Sequence, residues 1–209
     1  MNNTELTHLL ISWFTLSLAF SVDAAYAGLP RFMTEFPLVL IGLGTGFIFH
    51  ELAHRYIAKS YGCWAEFRMW TWGLLLALGM AVLTRGTFLF AAPGAVYIGG
   101  KQLSVEENGK ISLAGPGVNI LVGLGFVGLL LYSASIGLRS GDFLFDLGII
   151  GSMVNFFLGF FNLIPFGPLD GSKVMLWNPG VWVFAIAIAG SLVFFFNPII
   201  SALALLVGI

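Results

Sequence analysis

Residues 50–54 read His-Glu-Leu-Ala-His, a spacing suited to binding a metal ion. On a helix, His50 and His54 lie on the same face because they are four residues apart, so their imidazoles can share one ion. Catalytic zinc sites use three protein ligands and keep one position for water. Glu51 can face that water as a general base without being a ligand itself. The pattern therefore predicts a hydrolytic zinc site.

The surroundings of this pentapeptide decide between two interpretations. In a soluble helix, an isolated match of this kind is often ordinary surface polarity. Here residues 42–49, which precede it, are all small or apolar apart from Thr45. Ionisable groups are costly inside a membrane and mark functional sites there. The apolar setting therefore favours metal binding over surface polarity.

The third metal ligand must come from elsewhere in the chain, since Ser60 stands where a longer zinc-protease motif carries a histidine after His54. Glu66 is one candidate, although a solvated carboxylate in a charged loop is its simpler interpretation. Asp170 is the better candidate because prolines and glycines interrupt the helix around it. Irregular backbone at membrane depth is tolerated where it packs in protein or lines a wet cavity. A simple helix-ending turn is the alternative interpretation of that segment.

Residues 50–54, together with Asn-Leu-Ile-Pro-Phe-Gly-Pro-Leu-Asp-Gly at 162–171, closely resemble the two signatures of the site-2 proteases, which are intramembrane zinc metalloproteases. Residues 114–119, Ala-Gly-Pro-Gly-Val-Asn, resemble a third pattern of that family. The three patterns occur in the expected order. Two positions depart from the family, with Ala53 where glycine is common and Ser172 where a second glycine often follows. Both residues are small.

The resemblance implies functional roles for single residues. The implied ligands of zinc (Zn²⁺) are His50, His54 and Asp170. The implied catalytic residue is Glu51, and Asn162 is implied to lie near the substrate carbonyl, where its amide can donate to the developing oxyanion. For Asn119, a hydrogen bond between helices is an equal alternative to a catalytic role. The implied activity is hydrolysis of peptide bonds in or near transmembrane helices of protein substrates in the lipid bilayer.

The composition indicates a membrane protein. Of the 209 residues, 58% are hydrophobic and 9% are charged, whereas soluble domains carry about 25% charged residues. The net charge of −1 provides no basic surface for nucleic acid, so nucleic-acid binding is not expected. Apolar stretches recur without a polar linker, which predicts a single domain over 1–209. Nothing in the sequence indicates an oligomeric state.

The expected fold class is an all-α polytopic membrane protein with about six transmembrane segments, because a spanning helix needs roughly 20 apolar residues. The predicted helices lie at 7–29, 36–59, 111–137 and 143–166. An apolar region at 174–209 follows them. We expect Asn197-Pro198 to divide that region into two shorter elements.

Region 69–98 is apolar but carries Arg85 and Gly86 near its middle. A charge there is expensive for a spanning helix. We therefore expect a membrane-associated hairpin that turns near Gly86, between the second and third helices. Its flanks, 67–72 and 95–98, have strand character.

The cations of the short loops predict the orientation, because Lys and Arg concentrate on the cytoplasmic side of a membrane. If the hairpin enters and returns, six cations share one face, and they are Arg55, Lys59, Arg68, Lys101, Lys110 and Lys173. The prediction is a multi-pass protein of the cell membrane. Its active site is expected near the cytoplasmic side.

Two other functions fit parts of the sequence. A different membrane zinc protease, acting on prenylated or soluble peptides, would complete its site with a downstream glutamate. A non-catalytic zinc-binding membrane protein or a transporter could use the broken helix as an ion site. A transport site has no need of Glu51 beside a zinc ligand, which favours hydrolysis.

Overall fold

The computed structural model describes residues 1–87 and 93–207 and is mostly helical. Within these residues, nine helices and two strands follow in this order: α1 (Asn3–Phe20), α2 (Val22–Ala27), α3 (Leu29–Ser60), β1 (Trp64–Met69), α4 (Thr71–Leu83), β2 (Gly94–Gly99), α5 (Val105–Ser135), α6 (Phe143–Asn162), α7 (Asp170–Trp177), α8 (Pro179–Phe194) and α9 (Phe196–Val207).

Three of the described helices, α3, α5 and α6, are long and apolar enough to cross a membrane. A fourth span results if α8 and α9, which are bent by 77° at their junction, count as one. The prediction of a helical membrane protein is therefore confirmed, whereas the prediction of about six segments is not. One reason is that the helix expected at 7–29 breaks at Ser21 into α1 and α2.

The C-terminal region divides at other positions than the expected break at 197–198. Its first helix, α7, ends at Trp177, and the side chain of the next residue, Asn178, caps α8 by accepting a hydrogen bond from the backbone N–H of Val181 at 3.1 Å. The next break is at Phe195. Pro198 lies in the first turn of α9, where a missing N–H removes no helical hydrogen bond. The region thus forms three helices and not two.

Close packing of α3, α5 and α6 forms the centre of the fold. Small residues allow it: a Cβ atom on Gly42 of α3 would lie 3.0 Å from the Cα atom of Gly151 in α6. Such close approach stabilises helix pairs in membranes, where lipid is as apolar as the side chains. On the other side of α3, Trp13 of α1 donates from Nε1 to the carbonyl of Leu40 at 2.8 Å.

The two strands form one antiparallel sheet. Trp64 lies opposite Gly99, and Met69 lies opposite Gly94. The strand character predicted for 95–98 is therefore confirmed, whereas that predicted for 67–72 holds only as far as Met69, because the apolar helix α4 begins at Thr71.

The turn after α4 lies where the sequence predicts it. Arg85 and Gly86 both have left-handed backbone, with φ of 53° and 78°. Residues 88–92, which complete the path to β2, lie outside the described residues. The membrane-associated hairpin as a whole stays a prediction.

Polar side chains of α1 cover the outer edge of β1. Glu5 accepts a hydrogen bond from the N–H of Phe67 at 3.2 Å, and His8 accepts one from the N–H of Met69 at 3.4 Å. The fully buried Glu5 carboxylate also lies 2.9 Å from Nε of Arg55 in α3. Helix α1 therefore joins the sheet to the end of α3.

Candidate metal centre

Three ligand-type side chains from two helices converge on one point. His50 and His54 of α3 place their Nε2 atoms 3.0 Å apart. Oδ2 of Asp170, the first residue of α7, lies 3.3 Å from Nε2 of His50 and 3.1 Å from Nε2 of His54. All three residues are buried. Within residues 1–87 and 93–207, they are the one group of three or more His, Cys, Asp or Glu side chains arranged to hold a metal ion.

The hydrogen bonds of the two Nδ1 atoms determine the tautomers of His50 and His54. Nδ1 of His54 lies 2.7 Å from the carbonyl oxygen of Ile111, which can only accept. Nδ1 of His50 lies 2.6 Å from Oδ1 of Asn119. Both Nδ1 atoms therefore carry the hydrogen in neutral imidazoles, and both Nε2 atoms present lone pairs. Hydrogen bonds of this kind fix the tautomer of metal-binding histidines.

The three residues fit zinc. Two nitrogen lone pairs and a carboxylate oxygen face one another at 3.0–3.3 Å, and such acceptors attract each other only through a shared cation. The edges of a tetrahedron with zinc–ligand distances of about 2.0–2.1 Å measure about 3.3 Å. Three protein ligands leave one tetrahedral position for water, as in catalytic zinc sites.

The broken end of α6 places Asp170 in the group. Gly171 packs so closely on the end of α6 that a Cβ atom there would overlap the carbonyl oxygen of Leu163. That carbonyl accepts a hydrogen bond from Nε1 of Trp182 at 2.8 Å, which satisfies a group left unpaired by the helix end. The segment is thus a helix-ending turn and also a carrier of the carboxylate, so the two interpretations of the sequence are compatible.

The Asp170 carboxylate has two different neighbours. Oδ2 faces the imidazoles, while Oδ1 lies 3.7 Å from Nζ of Lys173. Burial raises the pKa of the Asp170 carboxyl, but the His54 and His50 imidazoles, when they are protonated in the absence of metal, lower that pKa by more, so it lies below its ordinary value. The group is an anion, which suits a metal ligand.

The residues His50, His54 and Asp170 form the metal group. A cavity of about 410 Å³ contains the metal group and Glu51. Its apolar wall comes from α1, α3 and α6, through Leu16, Phe20, Phe47, Phe157, Leu158 and Phe161. Five consecutive residues of β2, 94–98, form another part of the wall. Arg68, Asn108 and Lys173 add polar groups. An extended peptide could therefore reach the metal group beside a strand.

The other predicted site residues have different surroundings. Asn162, the last residue of α6, lines the cavity and donates one amide N–H to the carbonyl of Leu158 at 2.9 Å. Its role at the substrate carbonyl stays a prediction. Glu66, the alternative ligand, pairs with Arg68 at 2.5 Å and with Asn2 at 2.8 Å. It does not belong to the metal group.

Two contributions of α5 were missed by the sequence reasoning. The carbonyl of Ile111 accepts from His54, and Gly115 lies so close to both imidazoles that a Cβ atom would be 2.5 Å from Nε2 of His54. Together with Asn119, they are spaced four residues apart and form one stripe of the helix. The spacing of these three residues can be read from the sequence, but the packing of this face of α5 against His50 and His54 of α3 cannot.

The chain is similar to zinc metalloproteases. A protein of Methanocaldococcus jannaschii, provisionally named a zinc metalloprotease, is 42% identical over 179 residues, which are 85% of this chain and 86% of the relative. Rip3 of Mycobacterium tuberculosis, named in the same provisional way, is 28% identical over 187 residues, 84% of this chain and 41% of Rip3. A second Methanocaldococcus jannaschii protein, named a zinc metalloprotease, is 29% identical over 140 residues, 66% of this chain and 33% of that protein. No protein-family model and no solved structure matches the chain.

The first of these relatives matches most of both chains, and the buried group of two imidazoles and one carboxylate fits the metal in its name. Zinc is therefore the cofactor, and this chain belongs to the family of zinc metalloproteases formed by these relatives.

Proposed function

We propose that this chain is an intramembrane metalloprotease of the site-2 protease type, which hydrolyses peptide bonds in or near transmembrane helices of membrane-protein substrates. One observation carries the proposal. The metal group is buried, and two of its three residues lie on α3, a helix long and apolar enough to cross a membrane. A protease of soluble proteins has no need of such a position, whereas a protease of membrane helices does.

In this proposal, His50, His54 and Asp170 hold zinc, and Glu51 is the general base and acid. When bound, zinc supplies a Lewis acid that activates water and polarises the scissile carbonyl. Glu51, buried in the same cavity, takes a proton from the attacking water. It then returns that proton to the leaving amine.

Asn162 is proposed to stabilise the oxyanion. One of its amide hydrogens bonds to the carbonyl of Leu158, which leaves the second hydrogen for a substrate. A side-chain amide has two donors. The bond to its own helix holds the group in place beside the cavity, so the second donor requires little reorganisation when charge develops.

The substrate is proposed to bind as an extended strand. A carbonyl within a membrane helix is already hydrogen-bonded, so the helix must unwind before water can attack. Cleavage should therefore favour helices that contain Gly or Pro. The unwound backbone could then pair with β2, which lines the cavity at 94–98. Because α1 covers the outer edge of β1, β2 is the strand available for pairing.

The site is proposed to lie near the cytoplasmic side of the cell membrane. Nζ of Lys101 is 5.8 Å from the ring centre of Tyr61, and Nζ of Lys110 is 5.8 Å from that of Trp177. These contacts bring the end of α3, the start of α5 and the end of α7 to one end of the molecule. The cations there favour the cytoplasmic face.

The test is cleavage of a single-span substrate by the purified chain reconstituted in lipid vesicles. Glu51→Gln should keep zinc and lose cleavage, because an amide cannot accept the proton. Glu35→Gln is the matched control, since Glu35 lies at the other end of α3 and pairs with Arg31. Cleavage by Glu51→Gln at the wild-type rate would remove Glu51 from its role. Zinc binding without cleavage by the wild type would favour a non-catalytic zinc protein or a transporter.

A further inference from the structure

Two fully buried asparagines connect His50 to backbone carbonyls of two helices, α3 and α6. Asn119 of α5 donates from Nδ2 to the carbonyl of Gly46 at 3.0 Å and to Oδ1 of Asn155 at 3.3 Å. Asn155 of α6 donates from Nδ2 to the carbonyls of Gly42 at 3.0 Å and Gly151 at 2.8 Å. The chain of hydrogen bonds therefore runs from His50 through both amides to peptide carbonyls.

Those carbonyls determine the direction of every hydrogen bond between His50, Asn119 and Asn155. A peptide carbonyl can only accept, so the NH₂ group of Asn155 must face Gly42 and Gly151. Its Oδ1 then faces Asn119 as an acceptor. The NH₂ group of Asn119 must face Gly46 and Asn155, which leaves Oδ1 as the acceptor for His50. The His50 ring can therefore donate from Nδ1 and must present the lone pair of Nε2 to the metal group.

The packing around Asn155 supports a specific role. A Cβ atom on Gly46 would lie 2.7 Å from Oδ1 of Asn155, so the glycine leaves the room that this amide needs. Neither asparagine is among the described residues that line the cavity. Asn155 therefore acts on the metal group only through Asn119.

We propose that Asn155 is a positioning residue that sets the orientation and tautomer of His50 through Asn119, and thereby raises the affinity of the site for zinc. The inference rests on the proposed role of His50 as a zinc ligand. It differs from simple bonding between helices, since a structural amide would change the stability of the fold but not the zinc affinity of the folded chain.

The experiment measures the zinc dissociation constant of the full chain in detergent, by competition with a chromogenic chelator. Asn155→Ala should weaken zinc binding by about 10–100-fold, the usual effect of losing a residue that orients a ligand. Ser152→Ala is the matched control. Ser152 is also fully buried on α6, but its hydroxyl bonds to the carbonyls of Gly148 at 2.7 Å and Ile149 at 2.9 Å in its own helix. Its loss should leave zinc affinity unchanged.

A second variant, Asn155→Ser, tests the inference if Asn155→Ala does not fold. Asn155→Ser can bond to the carbonyl of Gly151, as Ser152 bonds to that of Gly148, but it is too short to reach Asn119. It should weaken zinc binding similarly and change the visible absorption of the Co²⁺-substituted protein. Wild-type zinc affinity in a folded Asn155 variant would overturn the inference. A wild type that binds zinc but cleaves nothing would instead refute only the proposed protease activity.

Discussion

Gly115→Ala adds one methyl group against the metal centre. Its Cβ atom would lie 2.5 Å from Nε2 of His54 and 2.7 Å from Cε1 of His50. Ordinary van der Waals contact begins at 3.4 Å, so the His54 ring must move by 0.9 Å (3.4 − 2.5) or α5 must move away. Ligand distances in metal sites hold to within about 0.2 Å. The displacement is several times larger than the site tolerates.

The expected result is a folded chain that binds zinc poorly. Overpacking costs about 1–3 kcal/mol, and the preference of helices for Ala over Gly offsets about 0.8–1.0 kcal/mol of it. The free energy of unfolding should therefore fall by about 0–2 kcal/mol. Zinc affinity should fall by at least about 10–100-fold, the loss typical of misplaced ligands. Competition with a chelator and thermal unfolding in detergent measure the two quantities separately.

Gly117→Ala is the matched control, because Gly117 lies two residues further along α5 and a Cβ atom there would meet nothing within 4 Å. This variant should keep wild-type zinc affinity and gain a little stability. Equal zinc affinity of the Gly115 and Gly117 variants would refute the reasoning, since it would mean that the imidazoles do not pack against Gly115.

Two further predictions concern residues away from the metal ligands. Asn162→Ala should lower kcat by about 10²–10³-fold, because it removes one oxyanion donor, and should leave zinc content unchanged; a wild-type kcat would contradict the proposed role. Glu5→Gln should lower the free energy of unfolding by about 3–5 kcal/mol, because it leaves the Arg55 guanidinium without its buried counter-charge. Glu106→Gln, which breaks an exposed pair with Lys110, should change thermal unfolding little by comparison.

The convergence of His50, His54 and Asp170 could be predicted because local geometry determines most of it. His50 and His54 share a face in any helix, whatever packs on it. Asp170 was identifiable because a carboxylate between prolines and glycines in an apolar chain needs a partner. Both signals come from short segments, and the structure brings those segments together.

The remaining features depend on partners far away in the chain. Asn155 on an apolar helix looks like any polar residue that bonds helices together, and its contact with Asn119 spans 36 residues. The break at Ser21 has no proline or glycine at that position to reveal it. The buried Glu5 resembles a solvated residue of a first helical turn until β1 and α3 pack on it.

The third sequence pattern, 114–119, acquires a physical meaning from the stripe on α5. Gly115 leaves room for both imidazoles, and Asn119, one turn later, accepts from His50. One turn earlier, the carbonyl of Ile111 accepts from His54. Helix α3 supplies the two imidazoles, but hydrogen bonds from α5 set both tautomers and its packing limits the movement of both rings. The pentapeptide at 50–54 is therefore an incomplete metal site without α5, which explains why a match to it alone is a weak signal in other chains.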